Sequence, residues 1–249
     1  MTIGIITAMK IEFDELRVKL ADRALVDSPF FETIKGQLGD CSVVLIQAGV
    51  GKVCTTMATQ WLIDKFALNL IMNVGIAGSL TNNASVGSIV IGSKFVQHDF
   101  MPAPWLSRPQ GEVSFMGERS YPISDEKINR MIMDITHGYS QPLKIQLGTI
   151  ISGDEPIFSD DRKEALLREF AKFTPLAADM ESAAFAFTAS ENKLPFVVIR
   201  SIADRATKKD EPTEPGGNAR QNGTATLAAQ IATEFIRSMP ETVDGNLIK

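Results

Sequence analysis

Two short acidic stretches, Asp179–Ser182 and Ser201–Asp204, are the residues of this chain best placed to do chemistry. The first opens a run of small apolar residues that predicts a buried helix. The second continues the β-branched run Phe196–Ile199, which predicts a core strand. A carboxylate buried at a helix start is costly unless it binds something, and open α/β sheets hold their ligands just past strand ends. Glu181 and Asp204 therefore predict chemistry on a polar small molecule.

Arg200 lies four residues before Asp204, on the predicted strand itself. Strand geometry places Arg200, Ile202 and Asp204 on one face if the strand runs that far. An arginine on a buried strand usually faces a carboxylate, a phosphate or a substrate. The alternative is a purely structural pair between Arg200 and Glu181.

Glu12 follows the first predicted strand, within Thr7–Glu12, where a carboxylate reaches the ligand edge of a sheet. The alternative is that Glu12, Asp14 and Glu15 only decorate a helix N-terminus, where acidic residues suit the helix dipole. Asp154 follows another strand, and its expected role is to stabilise its own loop, with ligand binding as the alternative.

Two glycine-containing segments, Ala48–Lys52 and Asn73–Ser79, also follow predicted strands. Glycine permits positive φ and a close approach of backbone to a ligand. Neither segment has the spacing of the dinucleotide fingerprint or of the phosphate-binding P-loop. Tight turns needed for chain reversal are therefore an equal alternative to a ligand role.

Composition excludes several classes of function. A net charge of −5 over 249 residues argues against a nucleic-acid partner. Cys41 and Cys54 fit neither a disulfide framework nor a zinc site and indicate a reduced, cytoplasmic location. His98 and His137 are too few for a histidine triad or a multi-histidine metal site. The chain start lacks the features of a signal peptide, and no apolar run is long enough to cross a membrane.

Strand-like and helical runs alternate, which predicts one α/β domain over residues 1–249 with a mainly parallel sheet covered on both faces. The predicted strands are Ile3–Thr7, Ser42–Gln47, Leu70–Val74, Ser88–Phe95, Lys144–Ile151 and Phe196–Ser201. The predicted helices are Ile11–Leu20, Val53–Phe66, Glu126–Ile135, Asp160–Phe170, Glu181–Glu191 and Gly223–Met239. Two segments, Pro102–Pro122 and Thr207–Gln221, are predicted to be irregular loops.

In this order the motifs resemble those of the bacterial 5′-methylthioadenosine/S-adenosylhomocysteine nucleosidases, within the wider nucleoside phosphorylase family. The stretches that carry the resemblance run from residue 3 to about residue 204 with similar spacing. They are Ile3–Met9 with Glu12, Gly49–Val53, Gly75–Gly78, Ser152–Asp154, Met180-Glu181 and Arg200–Asp204.

The resemblance implies a three-layer α/β/α fold with a mixed central sheet, a homodimer, and cleavage of the N-glycosidic bond of adenine thionucleosides without a metal or organic cofactor. It implies that Asp204 protonates adenine N7 and that Glu12, with Arg200 nearby, holds and activates the attacking water. Leaving adenine needs such an acid, and buried carboxylates stabilise the oxocarbenium-like sugar.

The resemblance also implies where the nucleoside contacts the chain. Glu181 would bind the ribose hydroxyls, Met180 would pack on the sugar, and the backbone of Ile157 would meet the adenine edge. The other residues implied in substrate binding are Met9 and Val50 in the alkylthio pocket, Ile76 near the ribose, Ala77 and Gly78 directly after it in the chain, and Pro102 and Trp105 supplied by the dimer partner.

Three departures from the family pattern concern the substrate. Ile76 stands where many relatives carry a hydroxyl, and Pro156 stands where an aromatic residue is common. After Asp204, a polar loop replaces the usual Ser-Phe-Asp-Glu-Phe stretch, and we expect Thr207–Gln221 to be a mobile lid over the sugar 5′ side. The alternative functions are a phosphorylase, which the acidic first turn disfavours because it repels phosphate, and a non-catalytic nucleoside binder.

Overall fold

The computed structural model describes residues 1–103, 105, 109–113, 121–135, 143–210 and 217–239. Within these ranges the strands are β1 (Thr2–Thr7), β2 (Ala21–Leu25), β3 (Glu32–Leu38), β4 (Cys41–Gln47), β5 (Leu70–Ser79), β6 (Ile89–Gln97), β7 (Ile145–Ser152), β8 (Pro175–Asp179) and β9 (Phe196–Asp204). The helices are α1 (Lys10–Arg17), α2 (Lys52–Lys65), α3 (Glu126–Ile135), α4 (Asp160–Glu169), α5 (Ser182–Glu191) and α6 (Gly217–Ser238).

These strands form one mixed sheet in the order β2-β3-β4-β1-β5-β8-β7-β6-β9, with a further pairing between β5 and β9. β1 pairs in parallel with both β4 and β5, and β5 pairs in parallel with β9. The strands β2 and β3 extend the β4 edge in antiparallel fashion. The expectation of a mainly parallel sheet is therefore too simple, and the mixed sheet implied by the family resemblance is confirmed.

Part of the sheet closes on itself. β9 pairs with β6, β6 with β7, β7 with β8, and β8 returns to β5. Gly78 near the end of β5 pairs with both Ala178 of β8 and Asp204 of β9. The C-terminal ends of three strands consequently meet at one point, and this point is where the acidic residues singled out in the sequence come together.

The core lies in two layers on either side of the sheet, because successive strand residues point to opposite faces. Ile5 belongs to an apolar cluster with residues of α1, α3 and α6, whereas the next residue, Ile6, belongs to a cluster with residues of α2 and α5. The three-layer arrangement follows from this alternation. Among the described residues, no helix is both long and apolar enough to cross a membrane.

The structure corrects several predicted bounds. β2, β3 and β8 were not predicted; β2 is exposed throughout and β8 has only five residues, so neither carries a strong pattern. β5 runs on to Ser79, so Asn73–Ser79 is strand and not a turn. α6 begins at Gly217, so the end of the predicted lid is helical. Residues 211–216 of that lid, like residue 104 and residues 106–108 and 114–120 of the other predicted loop, lie outside the described residues.

Candidate active site

An open cleft of about 810 Å³, its mouth included, lies where β5, β8 and β9 end. Ten of the residues predicted from the sequence line it: Met9, Glu12, Val50, Ile76, Ala77, Gly78, Ile157, Met180, Glu181 and Asp204. The lining combines apolar side chains with carboxylates. Among the described lining residues, none is lysine or arginine.

Glu12 is fixed by backbone N–H groups. Ala8 and Met9 each donate to its Oε2 at 2.9 Å, and Ile76 donates to its Oε1 at 3.0 Å. The first two donors lie directly before α1, where Met9 is the N-cap residue, so the carboxylate also caps the helix that carries it. The side chain is buried, and burial raises its pKa although Arg200 and these hydrogen bonds oppose the rise. Glu12 therefore interacts with the N-terminus of α1, as the helix-dipole alternative predicted, and also lines the cleft.

The glycine-rich end of β5 makes room for two carboxylates. A Cβ on Gly75 would lie 2.6 Å from Glu12 Oε1, and one on Gly78 would lie 2.8 Å from Asp204 Oδ1. Both distances are too short for real atoms. The glycines of Gly75–Gly78 serve neither a turn nor a phosphate loop, since a side chain at either position would displace an acidic group of the cleft.

Glu181 lies immediately before α5 and is buried. Its Oε1 accepts a hydrogen bond from the N–H of Gly51, the residue before α2, at 2.9 Å. Gly51 has φ of 98°, a conformation that favours glycine and aims this N–H at the carboxylate. Burial, reinforced by the nearby charge of Asp179, raises the pKa of Glu181 to about 7.

Arg200 does not line the cleft but lies behind its wall, with 2% of its side chain exposed. Its Nε donates to Asp179 Oδ2 at 2.6 Å, and its Nη2 donates to Asn73 Oδ1. Glu181 Oε2 is 3.9 Å away from Nη2. The main partner of Arg200 is thus Asp179 and not Glu181, which corrects the partner expected in the structural alternative.

Asp179 is the main residue that the sequence reasoning left without a role. It lines the cleft and accepts hydrogen bonds from the hydroxyl groups of Ser152 and Ser182 as well as from Arg200. Its position at the end of β8, directly before the predicted helix, was the available signal. Because β8 was not predicted, Asp179 had no strand end to occupy in the sequence analysis.

Asp204 ends β9 and is partly buried. Its Oδ1 accepts a hydrogen bond from the N–H of Ala206 at 2.8 Å. The pairing register of β9 on β5 shifts by one residue just before Asp204, between Ile202 and Asp204. β9 therefore runs as far as the one-face prediction required, but its end is irregular.

The two residues assigned to a dimer partner do not line the cleft of their own chain. Pro102 is buried, and Trp105 is 82% exposed. The remaining lining residues were not predicted as site residues, and they include Phe158, which follows Ile157 closely and brings an aromatic side chain to the cleft although Pro156 is not aromatic. The full set is Ala8, Glu155, Pro156, Phe158, Ala178, Asp179, Ala206 and Gln221.

Comparison with known proteins identifies the class first. The family model of the phosphorylase superfamily matches residues 2–237. The chain shares the fold of a solved 5′-methylthioadenosine/S-adenosylhomocysteine nucleosidase from Neisseria meningitidis, in complex with methylthio-immucillin-A, with a TM-score of 0.88 and 27% identity. The match covers 96% of this chain and 99% of that one.

Comparison with individual relatives then identifies one family within this superfamily. A 5′-methylthioadenosine/S-adenosylhomocysteine nucleosidase from Staphylococcus haemolyticus is 33% identical over 83% of this chain and 88% of its own length. One from Tolumonas auensis is 31% identical over 93% of this chain and 99% of its own length. The chain therefore belongs to the 5′-methylthioadenosine/S-adenosylhomocysteine nucleosidase family of the phosphorylase superfamily, as its motifs indicated.

The cleft is suited to acid–base chemistry near a developing positive charge. Glu12, Glu181 and Asp204 offer carboxylates, and Asp179 already compensates the charge of Arg200. Within the described part of the chain, no three histidine, cysteine, aspartate or glutamate side chains are grouped so that they could hold a metal ion.

The raised pKa of Glu181 predicts a specific dependence of stability on pH. A pKa raised from 4.5 to about 7 means that the folded state binds the proton more tightly, so its stabilisation is present below about pH 4.5 and is lost as pH rises towards 7. We expect Glu181→Gln, relative to wild type, to gain up to about 3 kcal/mol of unfolding free energy between pH 5 and pH 8.

Urea denaturation at the two pH values measures this gain, and comparing the two pH values cancels any constant effect of the substitution. Glu164→Gln provides the matched control, because the side chain of Glu164 is 68% exposed. A wild-type difference between pH 5 and pH 8 that persists unchanged in Glu181→Gln would contradict the assignment.

Proposed function

We propose that this protein is an N-ribosyl hydrolase that cleaves 5′-methylthioadenosine, S-adenosylhomocysteine or both into adenine and the thioribose. The observation that carries the proposal is the charge of the cleft: Glu12, Glu181 and Asp204 line it, and no lysine or arginine stands among the described lining residues. Such a cleft stabilises a cationic, oxocarbenium-like sugar. The named activity of the nucleosidase relatives supports the same reaction.

Asp204 is assigned as the general acid. Adenine leaves poorly as an anion and well once N7 is protonated, so a carboxyl group must face the base. Asp204 lines the cleft and is bonded to the N–H of Ala206, which belongs to one buried apolar cluster with Ile157. This cluster supplies apolar surface for the base near the acid.

Glu12 is assigned as the group that holds and activates water. Three backbone hydrogen bonds fix its carboxylate, and Glu12 lines the cleft. Arg200 acts here through the wall and not by contact: its Nη1 and Glu12 Oε1 lie 3.1 and 2.6 Å from the same point, where a Gly75 side chain would begin. The Arg200 cation favours the ionised form of the carboxylate that a base requires and so opposes the effect of burial on the pKa of Glu12.

Glu181 and Met180 are assigned to the ribose. Gly51 occupies only Oε1 of Glu181, and the other oxygen is 3.9 Å from Arg200. A carboxylate so placed can accept hydrogen bonds from two neighbouring hydroxyl groups. Met180 adds an apolar surface at the same end of β8.

Product analysis tests the reaction. Wild-type protein is incubated with methylthioadenosine, S-adenosylhomocysteine, adenosine and inosine, with and without phosphate. We expect free adenine and free thioribose, at a rate that phosphate does not change. Sugar 1-phosphate as the product would establish a phosphorylase instead, and tight binding with no product would establish a non-catalytic binder.

Loss of the acid or the base should abolish most turnover. Asp204→Asn cannot donate a proton to N7, and Glu12→Gln cannot take one from water, so each should lower kcat by about 10²–10⁴-fold. Asp160→Asn and Glu164→Gln make the same chemical changes on the exposed face of α4 and serve as controls. Turnover near the wild-type rate in either site variant would remove that residue from its role.

A methyl group at Gly75 should disable the site although every charged residue of the site is kept. Gly75→Ala places a Cβ 2.6 Å from Glu12 Oε1, so the carboxylate must shift, and a misplacement of about 1 Å can cost about 10²-fold in rate. Gly223→Ala is the matched control, since nothing lies within 4 Å of its Cβ on α6. Equal activity of the two variants would show that Glu12 does not need its present position.

A homodimer that completes the cleft is part of this proposal. Val53 and Met57, one turn apart on α2, are 69% and 48% exposed, and Met101 and Trp105 are 69% and 82% exposed. These apolar side chains are of the kind that a second copy would cover. The cytoplasmic location expected from Cys41 and Cys54 also stays a prediction.

The dimer predicts a substrate-specific effect at Trp105. If the partner's Trp105 lines the 5′ pocket, Trp105→Ala should lower kcat/KM for methylthioadenosine more than kcat/KM for adenosine. The difference should correspond to about 1–3 kcal/mol, the usual value of a lost apolar contact. Met101→Ala, an exposed neighbour in the same segment, controls for general effects there. Equal losses on both substrates would place Trp105 outside the pocket.

A further inference from the structure

Lys52, Asp99 and Asp154, none of which lines the cleft, form a closed ring of hydrogen bonds through side chains and backbone N–H groups. Asp99 Oδ1 accepts from Lys52 Nζ at 2.6 Å, and its Oδ2 accepts from the backbone N–H of Asp154 at 2.8 Å. Asp154 Oδ1 in turn accepts from the backbone N–H of Lys52 at 2.8 Å. We call Lys52, Asp99 and Asp154 the clamp.

Each member of the clamp belongs to a different part of the fold. Lys52 is the first residue of α2, Asp99 follows β6, and Asp154 follows β7. A carboxylate at the start of α2 is also favoured by the helix dipole, which strengthens the corner that Asp154 occupies. The clamp therefore fixes the loop before α2 and the loop after β7 to the segment that follows β6. No described residue of that third segment lines the cleft.

The loop before α2 and the loop after β7 both contribute residues to the lining of the cleft. Lys52 directly follows Val50 and Gly51, of which Val50 lines the cleft and Gly51 donates the hydrogen bond to Glu181. Asp154 directly precedes the wall formed by residues 155–158, which includes Ile157. Moving either corner of the clamp would therefore move groups assigned to the ribose or to the base.

Close packing shows that the clamp has little freedom to shift. A Cβ on Gly153 would lie 2.4 Å from the ring of His98 and 3.0 Å from Asp99 Cγ, and a Cβ on Gly51 would lie 3.0 Å from Asp154 Oδ1. Burial alone would raise the pKa of Asp99, but the hydrogen bonds from Lys52 and Asp154 outweigh it and hold the pKa below its usual value. Asp99 is thus ionised and bonded on both oxygens.

We propose that Asp99 is a positioning residue of this enzyme, which acts through Lys52 and Asp154 to hold the two walls that bind the nucleoside. The proposal rests on the hydrolase function above. Among the described residues, Asp99 has no hydrogen bond or ion pair with the acid Asp204 or the base Glu12, so its effect should fall on binding and not on the chemical step. An exposed ion pair of the ordinary kind contributes little and would not have this effect.

The test uses Asp99→Asn, Lys52→Met and the double variant in the full-length protein. Each single substitution should raise KM for methylthioadenosine about tenfold or more and leave kcat within about threefold, because uniform binding is lost. The double variant should equal the single variants and not multiply them, since all three remove the same clamp. Glu164→Gln, in the exposed pair with Arg168, is the control and should leave both constants unchanged.

Calorimetric titration with adenine makes the result independent of turnover and of the proposed reaction. The resemblance places adenine against the wall formed by residues 155–158, so the Kd of adenine should rise in the same variants. The proposal would be overturned if KM and the adenine Kd of all three variants stayed within about twofold of the wild-type values. A fall in melting temperature alone would not rescue it, because that pattern describes a merely structural ion pair. Failure of the wild type to release adenine would refute the hydrolase function, and the adenine Kd would still decide the role of the clamp.

Discussion

The ion pair between Arg200 and Asp179 sets the charge on which the cleft depends. Both side chains are only 2% exposed, and a guanidinium buried at this depth would cost several kcal/mol without a partner. Asp179 supplies that partner from the end of β8, while Arg200 comes from β9. Because Arg200 pairs with Asp179, neither Glu12 nor Glu181 has this cation as its main ion-pair partner. Burial raises the pKa of both.

The remaining carboxylates are held by backbone groups. Glu12 bonds to three N–H groups and Glu181 to one, and none of these donors is a side chain. Backbone donors do not titrate and cannot rotate away, so the acids keep their positions whether or not they carry a proton. This arrangement requires an accurately placed backbone. At Gly75 of β5 the space beside the Glu12 carboxylate is too small even for a Cβ.

Sequence patterns reached most of this arrangement because acids, glycines and strand ends are local signals. The run before Asp204 predicted β9. The glycines before Ser79 predicted either a tight turn or a close approach to a ligand, and the structure places two carboxylates of the chain itself against them. The partner of Arg200 was missed for a physical reason: β8 is short and pairs antiparallel to β5 through only two residue pairs, so neither periodicity nor a turn signal announces it. Asp179 depends on long-range closure of the sheet, which no local pattern encodes.

Membership of a superfamily named for phosphorolysis does not decide which nucleophile attacks in this cleft. A phosphate dianion needs cationic or N–H donors that remain unoccupied. Here Arg200 is already paired to Asp179 behind the wall, and the N–H groups of Ala8, Met9 and Ile76 are occupied by Glu12. The carboxylate stands where its own donors would otherwise have faced an anion. Neutral water pays no electrostatic penalty beside that carboxylate and gains a base, so the charge distribution favours hydrolysis within a fold that also supports phosphorolysis.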